Sequence, residues 1–292
     1  MFTMAKRNIK LNFRDKAGVF FSMFSVLVII ALNVFFLTDT LNDGMSNVPN
    51  IEVLVGTWLV AGIVAVTTTS TSLAALSTMI EDKSRKIYKD FYTSPLKRSS
   101  LAGGYIISCM VVGIIMSVLA FVVGMGYIAY LSGDIPSVET ILKTLGIIVL
   151  SVLANGALMF FITSMIKTQN AFSGFSMLIG TLIGFLMGIY MPVGNLPDGI
   201  QWVVKLFPCT YSASALRTVL MDDILTETFS TMPTEIPEGY EGFTRADFEH
   251  FMGVNFEFGD YSTTLTTAII VMIAAAVIFS SLSVLNVGKK NK

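Results

Sequence analysis

The chain has 292 residues, of which 53% are hydrophobic and only 13% are charged. This charged fraction is about half that of an average soluble protein, and a soluble fold of this length could not bury so much apolar surface. The composition therefore excludes an ordinary soluble domain, and the formal net charge of −1 does not favour a nucleic-acid partner.

The N-terminal segment predicts an amphipathic helix that lies on the cytoplasmic membrane surface. In a helix, one stripe is apolar and is formed by Phe2, Ala5, Ile9, Phe13 and Ala17. Basic residues beside this stripe would interact with anionic lipid headgroups, which makes membrane lipid the first predicted partner. The alternative is a plain basic flank that orients the first span.

Six apolar segments are long enough to cross a bilayer core, which needs about 20 helical residues. They cover approximately 19–38, 51–80, 101–131, 139–166, 171–190 and 263–286. The first follows basic residues, as a signal-peptide core does, but it is longer and no small-residue cleavage site follows it. We therefore predict an all-α integral membrane protein with six transmembrane helices.

The distribution of charge predicts a multi-pass protein of the cell membrane with both termini in the cytoplasm. Lysine and arginine favour the cytoplasmic side, and fifteen of the 19 lie on one predicted side. They fall in the N-terminal segment, the loop after the second span, the loop after the fourth span and the C-terminal end. Sixteen of the 20 acidic residues lie on the other side, so six spans fit without conflict.

The second span contains six consecutive hydroxyl side chains, from Thr67 to Ser72. A bilayer tolerates such groups because each can bond to the backbone carbonyl one turn back. Six in a row cover every face of a helix, so some must face protein or a polar cavity. We name Thr67, Thr68 and Thr71 as candidate pathway or dimer residues, and interhelical packing is an equally good interpretation.

The loop at 81–100 is densely charged and predicts a short amphipathic helix. Its apolar face is formed by Ile87, Tyr88 and Phe91, and Pro95 ends it because proline pushes the preceding residue out of the helical region. Such a helix can dock on a soluble partner. The alternative is a positive-inside loop without a partner, although aromatic residues in a charged turn argue against it.

The fifth span carries a glycine at every fourth position, at Gly180, Gly184 and Gly188. On a helix, these residues form a flat stripe that lets another helix approach closely. We predict a helix contact at this stripe, either within the chain or in a dimer.

Prolines and glycines interrupt the apolar segment after the fifth span, which is too short to cross the membrane twice. Broken backbone at membrane depth must be buried in protein or line a cavity. We therefore predict a re-entrant helical hairpin in the outer leaflet, with helices over about 197–206 and 208–220. The named candidates are Pro192, Pro197, Pro208, Tyr211 and Arg217.

An acidic segment at 222–262 separates this hairpin from the last span. It carries ten acidic residues against the single basic residue Arg245, with aromatic residues interleaved. Thr244 and Asp247 have the spacing of a helix N-cap, and Gly253 could end that helix. We predict a small folded extracellular cap that serves in gating, in partner docking or in shielding the outer mouth.

The sequence lacks the motifs of ATP hydrolysis and of metal binding. It contains no G-x-x-x-x-G-K-[ST] loop, no H-E-x-x-H and no cysteine–histidine cluster, and the cysteines Cys109 and Cys209 are too few for a disulfide framework. The spans also lack the buried carboxylate or histidine that a secondary transporter uses for ion coupling. This absence argues against a secondary transporter. A secondary transporter and a non-transport immunity or scaffold protein are kept as alternatives to the interpretation that follows.

With these features in place, the chain resembles a known family, the ABC-2-type permeases, which are the membrane subunits of ATP-binding-cassette exporters. The resemblance covers nearly the whole chain and rests on the N-terminal helix, the six spans and two motifs. The first motif runs from Glu81-Asp82 to Thr93-Ser94-Pro95-Leu96-Lys97-Arg98, and the second comprises Pro192, Leu196-Pro197, Pro208, Tyr211 and Arg217. The chain departs from the family at Lys86, where a glycine is common, and in its long outer insertion.

The resemblance implies a mechanism. Two permease subunits, identical or related, would pair through the second and fifth helices around a central pathway, and two separate ATPase subunits would bind below. ATP and Mg²⁺ would be held by those subunits, with no cofactor and no enzymatic site in this chain. The cargo would be an exported drug-, hemolysin- or lipid-like amphiphile. Coupling to the ATPase would involve Glu81, Asp82, Ile87, Tyr88, Phe91 and Pro95, buttressed by the N-terminal helix.

These predictions divide the chain into five parts. They are an interfacial helix at 1–18, spans one to five with the coupling loop at 19–190, the re-entrant helices at 191–221, the acidic cap at 222–262, and the last span with a basic tail at 263–292.

Overall fold

The computed structural model describes residues 1–32, 48–87, 98–230, 244–259 and 261–289. Within these residues the regular structure is helical apart from one antiparallel two-stranded hairpin. The elements are α1 Phe2–Arg14, α2 Lys16–Leu32, α3 Ile51–Ala75, α4 Ser77–Ser84, α5 Arg98–Ser132, α6 Val138–Met165, α7 Gln169–Leu186, a 3-10 turn Val193–Asn195, α8 Asp198–Leu206, α9 Thr210–Ser230, α10 Arg245–Phe251, β1 Glu257–Phe258, β2 Tyr261–Ser262 and α11 Leu265–Lys289.

Five helical segments of the described chain are long and apolar enough to cross a membrane. They are Ile51–Ser84, Leu101–Ser132, Val138–Met165, Gln169–Leu186 and Leu265–Ser283, and they match the second to sixth predicted spans. The first predicted span coincides with α2 as far as Leu32, and the rest of it lies outside the described residues. The prediction of an all-α membrane protein is therefore confirmed, and the first span, and with it the total of six, stays a prediction.

Helix α3 forms the centre of the bundle. It packs against α5, α6 and α9, and 83% of its most apolar stretch is buried inside the chain. Lipid chains are as apolar as the helices, so close packing rather than water exclusion favours this association. Glycines permit the closest approach: a Cβ at Gly124 of α5 would come within 2.4 Å of Val60, and one at Gly56 of α3 within 2.4 Å of Leu131.

Helices α7 and α11 lie at the periphery of the bundle. Only 22% and 17% of their apolar stretches are buried, so most of their apolar side chains face outward from this chain. Helix α7 contacts α3 and α4 and otherwise exposes its surface. In a bilayer, such surfaces face lipid or another subunit.

The predicted glycine stripe is only partly realised. Gly180 is open, since a Cβ added there would have no neighbouring atom within 4 Å, whereas Gly184 packs against the ring of Tyr190. Gly188 lies beyond the end of α7 in a left-handed conformation, with φ of +63°. The amide of Ile189 donates to the carbonyl of Gly184, which is the Schellman ending of a helix. The prediction that Gly188 belongs to a helical stripe is therefore wrong.

The segment before the last span forms the helices that its prolines predict. Pro192 precedes the 3-10 turn, Pro197 caps α8, and Pro208 separates α8 from α9. Helix α9 continues to Ser230, beyond its predicted end at 220, and packs against α3, α6 and α11.

The folded part of the cap follows the predicted signals. Thr244 and Asp247 form a reciprocal capping box at the start of α10. Gly253, with φ of +67°, ends the helix in a second Schellman arrangement, in which the amide of Val254 donates to Glu249. The short hairpin β1–β2 then leads into α11. We call this end of the bundle the cap end and the opposite end the α1 end.

Candidate functional site

The predicted coupling residues that the structure describes, Glu81, Asp82 and Ile87, lie at the α1 end, at the close of the second span. Glu81 and Asp82 belong to α4, which continues α3 after one turn residue, Leu76, rather than to a separate loop helix. Ile87 lies in the turn after α4 and is half-buried. Tyr88, Phe91 and Pro95 lie outside the described residues.

Lys86 lies in the same turn, at the position where the family resemblance leads us to expect a glycine. Its φ is +61°, in the left-handed region that favours glycine. The glycine that is common at this place in the family would suit that conformation without strain, and a lysine adopts it here at a modest cost.

Asp82 joins three helices at the α1 end. Its buried carboxylate accepts two hydrogen bonds from Arg7 of α1, at 2.6 and 2.9 Å, and one from the Tyr105 hydroxyl of α5, at 2.6 Å. The forked guanidinium matches the carboxylate, so the pair is fixed in orientation as well as in charge. The hydrogen bond to Asp82 raises the pKa of Arg7 above its ordinary value, which keeps the guanidinium charged.

Glu81 differs from its neighbour. It is exposed and pairs with Arg85 one turn later, at 2.7 Å. An exposed pair at this spacing contributes little to stability, so Glu81 is available to an external partner whereas Asp82 is not.

A cavity of about 630 Å³ opens beside the Asp82 cluster. Helices α1, α3, α4 and α5 line it with both charged and apolar side chains, and it reaches the hydroxyl run at Thr71. Its lining includes Arg7, Leu11, Arg14, Asp82, Val112 and Met116. This mixture can accommodate a molecule with a polar head and an apolar body.

The hydroxyl run lies inside the bundle. The hydroxyls of Thr67, Thr71 and Ser72 donate to backbone carbonyls one turn back, at 2.8, 2.6 and 2.6 Å, as predicted. Thr67, Thr68 and Thr71 are buried by helices of the same chain. In this conformation their burial favours interhelical packing over an open pathway surface, although Thr71 meets the cavity.

A polar network at mid-membrane level extends from Thr68. The side-chain amide of Asn155 in α6 donates to Thr68 Oγ1 at 2.9 Å and to Ser212 Oγ in α9 at 3.2 Å. Sequence reasoning missed Asn155 and Ser212. The available signal was an amide inside an apolar span, which requires a partner.

Arg217 forms a second junction, at the cap end. It is fully buried and donates to the carbonyls of Met187 and Gly188 at 2.7 and 3.1 Å, and of Gly253 at 3.3 Å. These carbonyls end α7 and α10, and the C-terminal end of a helix carries partial negative charge. Helix ends therefore take the place of a carboxylate, since no ion pair among the described residues includes Arg217.

Tyr211 fixes the hairpin between α8 and α9. Its hydroxyl donates to the carbonyl of Lys205 at 2.9 Å, and its ring packs edge-on against Phe256. The named residues of this segment thus serve helix boundaries and packing.

In the part of the chain that the structure describes, no cluster of histidine, cysteine, aspartate and glutamate is arranged to bind a metal. A comparison with curated proteins found no match. A model of the ABC-2 family transporter proteins matches residues 38–285. The chain therefore belongs to the ABC-2 transporter family, as a membrane permease of an ABC transporter.

Proposed function

We propose that this permease is the membrane subunit of an exporter. Two copies, or this chain and a related subunit, form the pathway in the cell membrane, with the α1 end and both termini in the cytoplasm. Two separate ATPase subunits, which hold ATP and Mg²⁺, drive transport. The observation that carries the proposal is the link from α1 through Asp82 into α4 and α5.

The link supplies a route for coupling. Helix α4 continues α3, and α3 is the central helix against which α5, α6 and α9 pack. An ATPase that moves the charged loop after Ser84 would therefore move the core of the permease. Arg7 and Tyr105 hold Asp82 so that α1 and α5 move with it. Coupling then follows if ATP and cargo each favour a different arrangement of this unit.

The cavity supports an amphiphilic cargo of drug-, toxin- or lipid-like character. Its charged lining residues come from α1 and α4 and the turns that follow them, and Val112 and Met116 of α5 give it an apolar wall. Thr71 connects it to the hydroxyl run of α3. We infer that the cargo enters here with its polar group at the α1 end.

The surface for a second permease subunit is best supplied by α7. Helix α3 is buried in its own chain, whereas α7 is largely uncovered and presents the open Gly180. This arrangement favours the fifth span over the second as the main dimer contact. The second span would then move within its own subunit and would make no main contact with the other subunit.

The direct test is reconstitution with an ATP-binding-cassette ATPase that binds this chain. Vesicles containing both should extrude a fluorescent amphiphile only with ATP, and Asp82→Asn should reduce extrusion per ATP hydrolysed. Extrusion without any ATPase would contradict the proposal. Loss of extrusion on collapse of the proton gradient, with ATP present, would favour a secondary transporter instead.

A further inference from the structure

An exposed apolar surface lies at the cap end, on α8 and the hairpin β1–β2. We call it the aromatic ledge, and its members are Ile200, Trp202, Val203, Leu206, Phe258 and Tyr261. All except the half-buried Phe258 are exposed, with Leu206 at 71% and Trp202 at 53%. The Trp202 and Phe258 rings meet edge-on, with centroids 5.9 Å apart, so the helix and the hairpin form one surface.

Lys205 is fixed at the centre of the ledge. Its ammonium lies 5.7 Å from the Trp202 ring centroid and 5.9 Å from that of Phe258, and it donates to the carbonyl of Glu257 at 2.9 Å. Lys205 forms no ion pair with any residue that the structure describes. A cation is thus held in place within an apolar surface, with donors left for an anion.

The position of the ledge in the fold indicates what covers it. Helix α8 follows the end of α7, and the hairpin directly precedes α11. These are the two least buried spans of the described chain, and α11 takes no part in the subunit contact proposed for α7, so the hairpin leads directly into a span that is free to face lipid. Aromatic rings with lysine are typical of the membrane–water interface, where rings lie at the glycerol level and the ammonium reaches the phosphates.

We propose that the aromatic ledge rests flat on the outer leaflet and that Lys205 binds the phosphate of a phospholipid headgroup. Helix α8 has nine residues and a length of about 13 Å, with its exposed face along one side and Val204 buried on the other. It lies along the interface rather than dipping toward the bilayer centre. This inference takes from the proposed function only the orientation that puts the cap end outside, and it does not depend on the direction of transport or on a partner.

The two tryptophans of the chain allow a direct measurement of depth. Trp58 is fully buried, so the difference in emission between the wild-type chain and Trp202→Phe isolates Trp202. The full chain would be reconstituted in phosphatidylcholine vesicles that carry a quencher on the headgroup, high on the acyl chain or deep on it. We expect the headgroup and shallow quenchers to act most strongly on Trp202.

Three other results would overturn the proposal. Strongest quenching by the deep label would indicate a re-entrant dip. Quenching by aqueous iodide alone would indicate a solvent-exposed surface or a site for a soluble partner. Quenching by none of them would indicate that another copy of the chain covers the ledge.

The role of Lys205 is tested by removing either partner of the contact. Lys205→Gln should lower headgroup quenching of Trp202 at least twofold, and Lys205→Arg should retain it. Lys143→Gln, at another exposed lysine of the cap end, is the matched control. In vesicles of a galactolipid without phosphate, the wild-type chain should resemble Lys205→Gln. If changing the lipid has no effect, Lys205 only positions Trp202 and the phosphate contact is refuted.

Discussion

Arg217 stacks on Trp58, with its guanidinium carbon 4.9 Å from the ring centroid and neither side chain exposed. The indole nitrogen of Trp58 donates to the carbonyl of Met252 at 2.7 Å, next to the Gly253 carbonyl that Arg217 reaches. The two side chains therefore secure the end of α10 together, one by charge and one by a neutral hydrogen bond. A cation buried in this way depends on every one of its partners.

The Arg217 junction should be sensitive even to a conservative change. Arg217→Lys keeps the charge, but one ammonium cannot reach the carbonyls of both helices in the forked geometry. We expect a loss of about 3 kcal/mol in stability. Cys109 and Cys209 are buried and free, so a thiol-reactive dye can report thermal unfolding in detergent. Arg245→Lys, at a partly exposed arginine of the cap, should change stability much less. Equal effects would contradict the assignment.

Asp82 should combine a structural and a coupling role. Asp82→Asn leaves Arg7 without its counter-charge, and we expect a loss of about 2 kcal/mol, below the cost at a fully buried pair because a third of Arg7 is exposed. Adding Arg7→Gln should restore part of the loss, which a double-mutant cycle measures. Strict additivity would show that the two residues do not interact.

Glu81 should separate coupling from stability. Because its pair with Arg85 is exposed, Glu81→Gln should shift the melting temperature no more than an ordinary surface substitution does. It should nevertheless lower ATP-driven extrusion, since this carboxylate faces the proposed ATPase. Glu139→Gln removes an equivalent exposed pair with Lys143 at the cap end and should affect neither quantity. Normal extrusion by the Glu81 variant would remove it from the coupling surface.

Asn155 should stabilise the packing of α3, α6 and α9. Asn155→Leu removes the two hydrogen bonds that its amide nitrogen donates and the long one that its oxygen accepts from Ser212, and we expect a loss of about 1 kcal/mol, typical of polar contacts between membrane helices. Thr181→Val in α7 is the control, because that exposed hydroxyl bonds only to its own helix. An unchanged melting temperature for Asn155→Leu would show that the network is dispensable.

Substitution by alanine should have opposite effects on stability at Gly180 and at Gly188. Alanine at Gly188 forces a Cβ onto a left-handed backbone, and we expect a cost of about 1 kcal/mol. Alanine at Gly180 meets open space in this chain and should stabilise α7 by about 0.5 kcal/mol. If Gly180→Ala instead disrupts the purified assembly, as measured by light scattering, then a second subunit contacts that face.

The sequence correctly predicted those features of the fold that depend on residues close to one another in the chain. Apolar length located the spans, and the Thr244–Asp247 spacing located a helix start that the structure contains. It did not predict the partners of Arg217 and Asn155, which come from helices distant in the chain. The glycine pattern also misled at Gly188, because spacing alone does not show that α7 has already ended. Gly56 and Gly124, which the pattern did not single out, allow close packing of α3 against α5.

The hydrogen bonds to the carbonyls of Met252 and Gly253 constrain how the segment before the last span can evolve. These carbonyls belong to the segment before the last span, which we predict to be an insertion relative to shorter members of the family, yet they accept hydrogen bonds from Trp58 and Arg217 of the helix bundle. A permease that lost this segment would leave the indole N–H of Trp58 without its acceptor, and Arg217 would keep only the two carbonyls at the end of α7. The insertion and these two side chains should therefore be inherited or lost together, and shorter relatives should carry apolar residues in the place of Trp58 or a different anchor for Arg217.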